Sequence, residues 1–385
     1  MPLRAMSAAL LLVLLTGCAT SHWSDSYGEL YYPHKVGYEH GVESEPSNGA
    51  AAKMPVKLLT SQGSHNDIHP RVVMHDGVQW LYFASDRDGE GYNIYRKKLQ
   101  ARAVQQLTYT SDDEYWPTVS PDGRWLAYGG NNAGDWNLYV VDLQTMTPPQ
   151  RLTTNIADDA HPDWSADSQR LIYTRWSEAE QNWLIHGMTF EDDLAVNPRE
   201  PAPIGPGPFA SVDGDAVGDS SDVEVTGRTI KSHWSLMTNG QSRLRGLHPR
   251  WHPIFERILL QDERRVGKRW FTVRSFDLGT GLTQTLSPPS EYGAIQPTYT
   301  PGGNRVLFVS VSKSDNKENM GDGFALVDGN GQMMMDIRNP VGHGRLADPQ
   351  WVTIDGQPSI VFSLKHEIGE SIYIVGVGRS TSLGR

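Results

Sequence analysis

Six residues that directly precede regularly spaced prolines are the side chains of this sequence best suited to chemistry. They are three histidines, a tryptophan, a glutamine and an aspartate: His69, Trp116, His161, His248, Gln296 and Asp348. Imidazole and carboxylate groups gathered in one place suit a divalent metal ion or a polar ligand. The alternative is that the residue before each proline is a repeated structural feature, its imidazole bonded to backbone carbonyls or water. Either role requires a fold that brings the six positions together.

A second candidate site is an acidic segment in the middle of the chain. Asp213, Asp215, Asp219 and Glu224 partly match the calcium loop of an EF-hand, with Gly218 at its sixth position. An apolar residue stands at the fifth position, where an oxygen ligand belongs, and the flanking sequence does not indicate helices. We therefore prefer a flexible acidic loop to a calcium site.

The prolines mark six copies of one repeat, spaced about 45 to 50 residues apart except for one longer gap. The six markers are Pro70, Pro117, Pro162, Pro249, Pro297 and Pro349. Each is followed by a short apolar stretch, usually a turn, and then a strand rich in aromatic and branched residues. The predicted second strands are Trp80–Ser85, Trp125–Gly130, Arg170–Arg175, Arg257–Asp262, Arg305–Ser310 and Ser359–Leu364. Four short strands in each copy are typical of a β-propeller blade.

The copies predict an all-β, six-bladed propeller over residues 55–378. Since the first strand of each blade lines the central channel of a propeller, we expect the six pre-proline residues near one mouth of the channel, as candidate ligand-binding residues. The sixth copy nearly ends after its third strand, and Val56–Thr60 reads like the missing fourth. We therefore expect the N-terminal strand to complete the last blade and close the ring, which removes exposed sheet edges. The gap between Pro162 and Pro249 is nearly twice the usual spacing. We interpret residues 190–230, rich in Gly, Pro and Asp, as an insertion in the third blade; a seventh, degenerate blade is the alternative.

The second repeat resembles a known family. The segment from Trp116 to Tyr128, with Arg151-Leu152-Thr153 and Ser85-Asp86-Arg87-Asp88-Gly89, is similar to the repeat of the TolB propellers. The resemblance covers about residues 55–378 and is strongest in the first three copies. It implies the propeller fold and leaves the function open, because blades of this type occur in binding proteins, in accessory domains of peptidases and in some lyases. The chain lacks an obvious counterpart of the separate N-terminal α/β domain of TolB.

The first 18 residues predict export and lipidation. A short basic start is followed by an apolar stretch from Ala8 to Leu15, which is too short to span a bilayer. The stretch ends in Leu15-Thr16-Gly17-Cys18, which resembles a bacterial lipobox, so we expect a signal peptide at 1–17 and a lipid on Cys18. An ordinary signal peptide or a buried apolar N-terminus is the alternative. Residues 18–54 are predicted to form a polar tether.

Location and partners follow from the same features. Ala19 stands where an aspartate would retain a lipoprotein in the inner membrane, so we expect an outer-membrane lipoprotein facing the periplasm if the organism has two membranes. The net charge of −11 is unsuited to nucleic acid, which needs a basic surface. We expect the membrane to be contacted through the lipid on Cys18, and an envelope protein or peptide to be the partner.

The functional hypothesis at this level is a non-catalytic binding scaffold without a cofactor. The sequence contains none of the common hydrolase, zinc-protease or phosphate-loop motifs. The alternative is a metal-dependent polysaccharide lyase or hydrolase with a divalent metal in the propeller channel. Oligogalacturonate lyases have similar blades and hold a channel metal with His and Gln, which would assign this role to His69, His161, His248 and Gln296.

Overall fold

The computed structural model describes residues 56–61, 63–89, 91–131, 134–192, 210–212, 224–225, 228–238, 242–266, 268–287, 293–311 and 321–377. All regular elements in these ranges are β-strands, and the strands form six sheets. Within these ranges there is also no helix of the length and apolar character that crossing a membrane requires. The six sheets are the six predicted blades, so the seven-bladed alternative is wrong.

The strands follow one another blade by blade, except that β1 (Val56–Leu58) belongs to blade 6. Blade 1 contains β2 (Asp67–His75), β3 (Val78–Ser85), β4 (Asn93–Lys98) and β5 (Gln105–Gln106). Blade 2 contains β6 (Glu114–Val119), β7 (Trp125–Gly130), β8 (Asn137–Asp142) and β9 (Gln150–Arg151). Blade 3 begins with β10 (Asp159–Trp164), β11 (Arg170–Ser177) and β12 (Asn182–Asp192).

The remaining strands complete blade 3 and form blades 4 to 6, again with antiparallel neighbours. Blade 3 continues with β13 (Ala210–Val212), β14 (Glu224–Val225), β15 (Arg228–Thr238) and β16 (Ser242–Arg243). Blade 4 contains β17 (Leu247–Trp251), β18 (Arg257–Val266), β19 (Lys268–Asp277) and β20 (Thr283–Thr285). Blade 5 contains β21 (Gly293–Tyr299), β22 (Arg305–Val311), β23 (Gly323–Asp328) and β24 (Met333–Arg338). Blade 6 contains β25 (Arg345–Ile354), β26 (Gln357–His366), β27 (Gly369–Gly376) and β1.

Packing between neighbouring blades supplies the core. A sheet covered on both faces needs apolar residues at every position rather than at alternate ones, and β7 is buried along its whole length. Between blades 5 and 6, for example, Leu307 and Phe324 belong to one apolar cluster with Ile360 and Phe362. Such clusters hold each blade against the next and fix the first strand of each blade beside the channel.

The N-terminal strand closes the ring as predicted. β1 runs antiparallel to β27, with Val56 opposite Val375 and Leu58 opposite Tyr373. The backbone N–H of Leu59 donates to the carbonyl of Ile372 at 2.8 Å. Lys97 of blade 1 donates to the carbonyl of Leu59, so the closing segment is also bound to the first blade.

The long gap between repeats is absorbed by blade 3. β12 and β15 pair over an extended register, from His186 opposite Ser235 to Asp192 opposite Arg228. The short strands β13 and β14 lie inside the expected insertion at 190–230, and both pair with β15. The predicted signal peptide (1–17), Cys18 and the tether (18–54) lie outside the described residues and stay predictions.

Candidate ligand-binding channel

The residue before each marker proline adopts an unusual backbone conformation in all six blades. Their φ angles lie between 48° and 56°, in the left-handed region that non-glycine residues rarely adopt, and the residues are His69, Trp116, His161, His248, Gln296 and Asp348. The register of each first strand shifts at the same place. Proline has no N–H to donate to the ladder and disfavours helical φ and ψ in the residue before it. The sequence thus builds one bulge into every blade at the channel.

These six residues, here called the pre-proline ring, meet one another around the channel. Ring centroids are 5.7 Å apart for His69 and Trp116, 4.6 Å for Trp116 and His161, and 3.9 Å for His161 and His248. On the other side, the carboxylate of Asp348 lies 3.1 Å from Nδ1 of His69 and accepts from Nε2 of Gln296 at 3.2 Å. Five of the six neighbouring pairs are therefore in direct contact.

The ring lies in the interior of the propeller. The side chains of His161 and His248 are buried, and the cavity beside the ring measures about 20 Å³. That is room for about one water molecule. We expected this ring at an open mouth of the channel, whereas the structure makes it a constriction. Bulky aromatic rings in contact with each other explain why so little space is left.

Burial also decides the charge of the ring. Burial, followed by the charge of Arg250, lowers the pKa of His248 to about 3. Burial, with His248 nearby, lowers the pKa of His161 well below its ordinary value. Burial alone would raise the pKa of Asp348, but the neighbouring His69 holds it below its ordinary value. At neutral pH the ring therefore contains two uncharged imidazoles and an ionised carboxylate that accepts hydrogen bonds.

The described residues do not contain a group of three or more His, Cys, Asp or Glu side chains that could hold a metal ion. In the ring, His161 Nδ1 lies 3.1 Å from the hydroxyl of Thr174, which is a side-chain partner and not the backbone carbonyl or water of the alternative interpretation. Of the acidic segment with the partial calcium-loop pattern, Asp213, Asp215 and Asp219 lie outside the described residues. Glu224 is in β14, where its backbone pairs with Thr229.

A second layer of channel residues, which our sequence analysis missed, follows the marker prolines. This post-proline layer consists of Arg71, Thr118, Asp163, Arg250, Thr298 and Gln350. Arg71 forms an ion pair with Asp163, although it lies in blade 1 and Asp163 in blade 3. Arg250 of blade 4 approaches the same carboxylate oxygen at 3.4 Å. Two cations from different blades thus share one anion inside the channel.

The post-proline layer faces a cavity of about 440 Å³, here called the vestibule. Its wall includes Trp164, Trp251, Tyr299 and Trp351, which stand two residues after their prolines. It reaches the turns between first and second strands, because Ala166 and the other turn residues also line it. A concave wall of apolar and aromatic side chains with a few convergent polar groups is the usual form of a ligand pocket, for which volumes of about 300 to 1,000 Å³ are typical.

The charged loop after the second strand of blade 1 makes its contacts within its own blade. Arg87 turns inward and donates to Asp67 at 2.6 Å, and its guanidinium lies over the rings of Phe83 and Tyr95. Asp86 accepts from the backbone and side chain of Asn66. This loop holds its own blade together, so its charges are not available as a free binding surface.

The sheet order and the channel define the class of protein: a six-bladed β-propeller, constricted at the pre-proline ring and open at the vestibule. Its fold is similar to that of a putative TolB from Agrobacterium tumefaciens, with a TM-score of 0.50 and 15% sequence identity over 84% of this chain and 97% of that one. It is also similar to an oligogalacturonate lyase in complex with manganese, with a TM-score of 0.52 and 14% identity over 86% of this chain and 95% of the lyase.

No protein-family model matches the sequence, and no curated protein matches it. At 14–15% identity the two structural similarities show the fold alone. The predicted resemblance to TolB propellers is confirmed at that level. Function has to be argued from the channel.

Proposed function

We propose that this protein is a non-catalytic, lipid-anchored β-propeller that binds a segment of another cell-envelope protein in its vestibule. The observation that carries the proposal is the shape of the channel. A vestibule of about 440 Å³ narrows to about 20 Å³ at the pre-proline ring. A pocket that is open at one end and constricted at the other suits a peptide segment that enters the vestibule and cannot pass the pre-proline ring.

The state of the channel residues supports binding over catalysis. A general acid or base works best when its pKa lies near the working pH. His161 and His248 are buried and uncharged at neutral pH, and the pKa of His248 is about 3. In the post-proline layer, Asp163 is held by Arg71 and Arg250. These groups have the properties of fixed recognition elements.

The location in this proposal comes from the sequence. The lipobox-like segment ending at Cys18 and the polar tether at 18–54 precede β1, which begins at Val56. Acylation of Cys18 would attach the chain to a membrane, and several acyl chains on one residue give stable attachment. The preferred site is the outer membrane, with the propeller in the periplasm.

Affinity capture from the native envelope tests the binding proposal. Ala166 is exposed at the vestibule, so Ala166→Trp should fill part of it without disturbing the core. We expect this variant to capture its partner about tenfold less well than the unaltered protein. Ala103→Trp is the matched control, because Ala103 is exposed between β4 and β5, away from the vestibule wall. Equal capture by both variants would contradict a binding role for the vestibule.

The anchor is tested separately with Cys18→Ala. We expect this variant to leave the membrane fraction after cell lysis, because it lacks the thiol to which the lipid is attached. Fractionation followed by immunodetection measures the change. A Cys18→Ala protein that stays in the membrane fraction would rule out the lipid anchor.

A further inference from the structure

The two arginines of the post-proline layer have more donors than acceptors. A guanidinium carries five N–H donors. Among the described residues, Oδ1 of Asp163 is the one acceptor that either Arg71 or Arg250 contacts. Oδ2 of the same carboxylate accepts the backbone N–H of Trp251 at 2.8 Å. Most of the guanidinium donors therefore have no acceptor among the residues that the structure describes.

These donors face open space. Arg71 and Arg250 both line the vestibule, and both also line the small cavity at the pre-proline ring. Their side chains are 13% and 20% exposed, so they are largely withdrawn from bulk water but can still be reached from the cavity. Partly buried guanidinium donors that can be reached from a cavity are placed to donate to an anionic ligand that enters it.

The charge of the post-proline layer also favours an anionic ligand. The post-proline layer itself holds two guanidinium groups and one carboxylate, so it carries one positive charge, which the nearby carboxylate of Asp348 partly offsets at Arg250. Burial, followed by the charge of Arg71, lowers the pKa of Arg250 to about 10, so Arg250 stays protonated at neutral pH. The other carboxylate of the channel, Asp348, is engaged by His69 and Gln296. A local cationic site in an acidic protein favours an anion at that place.

We propose that the vestibule binds a peptide segment through a carboxylate seated between Arg71 and Arg250. This inference rests on the proposed function and names the chemistry of the bound segment. Planar guanidinium groups match carboxylates with two parallel hydrogen bonds, a geometry that lysine does not reproduce. Trp164, Trp251, Tyr299 and Trp351 supply an aromatic wall around the seat. The bound segment therefore combines an acidic side chain with an apolar neighbour.

Calorimetry with purified full-length protein tests the carboxylate seat. The probes are two capped peptides that differ in one group, acetyl-Gly-Phe-Glu-amide and acetyl-Gly-Phe-Gln-amide. We expect the glutamate peptide to bind at least about tenfold more tightly, because a neutral amide cannot compensate the surplus charge. D-galacturonate and inorganic phosphate are further probes, which separate a saccharide or phosphate ligand from a peptide.

Single arginine variants then locate the effect. In Arg71→Gln, Asp163 keeps its ion pair with Arg250, and in Arg250→Gln it keeps its ion pair with Arg71. Neither variant therefore leaves the carboxylate without a cationic partner. Each should weaken binding of the glutamate peptide by about tenfold and binding of the glutamine peptide by less, because only the glutamate peptide loses a charge partner. Arg124→Gln is the matched control, because Arg124 pairs with Asp142 at 3.0 Å outside the channel wall.

The outcomes separate this inference from the proposed function. Equal binding of the two peptides would overturn the carboxylate seat and leave a peptide-binding vestibule in place. Binding of galacturonate or phosphate with neither peptide bound would overturn the peptide assignment. If no probe binds, the inference is overturned, while capture of a partner that depends on the open vestibule still decides the proposed function.

Discussion

The two layers of the channel wall, one on each side of the marker prolines, have opposite characters. The pre-proline ring is packed, its rings and polar groups contact one another, and two of its imidazoles are uncharged. The post-proline layer carries surplus positive charge and faces the vestibule. Both layers come from the same strands and from positions only two residues apart.

This difference shows that residue type alone, such as a cluster of histidines, is a weaker guide to a binding site than hydrogen-bond donors that still lack an acceptor. The ring holds most of the chemically versatile side chains, yet they are already in contact with one another. The layer holds two arginines with a single acceptor between them. Four experiments can break or sharpen this contrast, and they are ordered by the size of the expected effect.

The largest effect is expected at Asp163, the one carboxylate of the post-proline layer. Asp163→Ala removes the acceptor of Arg71 and Arg250 and leaves the backbone N–H of Trp251 unbonded. Removing one partner of a buried ion pair typically costs about 3 to 5 kcal/mol. Chemical denaturation measures the loss. Asp336→Ala, on the exposed face of β24, should change stability by less than about 0.5 kcal/mol, and a similar small loss at Asp163 would contradict the charge balance described above.

The second effect is a pH dependence from the pre-proline ring. His248 has a folded-state pKa of about 3, below its value of about 6.5 when unfolded. Between these values the unfolded state binds more protons, so His248 stabilises the fold above pH 6.5 and this contribution is lost as the pH falls. The loss is about 1.4 kcal/mol for each pH unit. Buried Glu114 and Glu370, whose pKa values burial raises to about 7, act in the opposite direction between about pH 4.5 and 7.

His248→Gln isolates the histidine contribution. Glutamine occupies the same left-handed position in blade 5, as Gln296, so the backbone there accepts it. Between pH 7 and pH 5, the variant should lose about 2 kcal/mol less stability than the unaltered protein. His343→Gln, at an exposed position, should leave the pH dependence unchanged. Equal slopes for His248→Gln and the unaltered protein would show that His248 is not held uncharged.

The third experiment asks whether the surplus arginine contributes to stability. Arg71→Gln leaves a balanced pair between Arg250 and Asp163, so we expect a loss of less than about 1 kcal/mol at pH 7. Thermal and chemical denaturation of Arg71→Gln and of Asp163→Ala compare the two losses of stability. A loss as large as that of Asp163→Ala would mean that Arg71 is a structural ion pair and not a spare donor for a ligand.

The smallest effect is expected from metal ions, which also tests the lyase alternative. A ligand that binds only the folded state at a thousand times its Kd stabilises by about 4 kcal/mol. We expect Mn²⁺, Zn²⁺ and Ca²⁺ to leave the Tm unchanged, because Asp348 already bonds to His69 and Gln296, and His161 to Thr174. A rise in Tm that disappears in His248→Gln would instead favour a channel metal, as the alternative enzyme function requires.

The propeller was predictable from sequence because its signals are local and repeated. The six prolines marked six first strands, and the predicted strand Trp125–Gly130 has the same limits as β7. Closure by the N-terminal strand was predictable from the number of strands in each copy. The sixth copy lacked a fourth strand, and Val56–Thr60 was a strand-like segment that belonged to no other copy. By contrast, β13 at Ala210–Val212 carries too few residues for any periodicity, so its pairing with β15 could not be read from the sequence.

The channel was only half predictable. The pre-proline ring stood out because histidine precedes proline in three copies. The post-proline layer did not, because its residues share no type from copy to copy. Aligning the copies one position after each proline does show two arginines and one aspartate. What alignment does not show is that Arg71 reaches Asp163 across the channel between blades that are not neighbours.

The closing strand also sets the order in which this protein can finish folding. β1 is made first and its partner β27 last, so the sixth sheet stays incomplete until nearly the whole chain has been delivered. Until then, the outer edges of the partial ring are unpaired strands that attract other chains. Pairings between distant parts of a chain are also slow to form. We therefore expect these edges to stay open to other chains until β1 and β27 have paired.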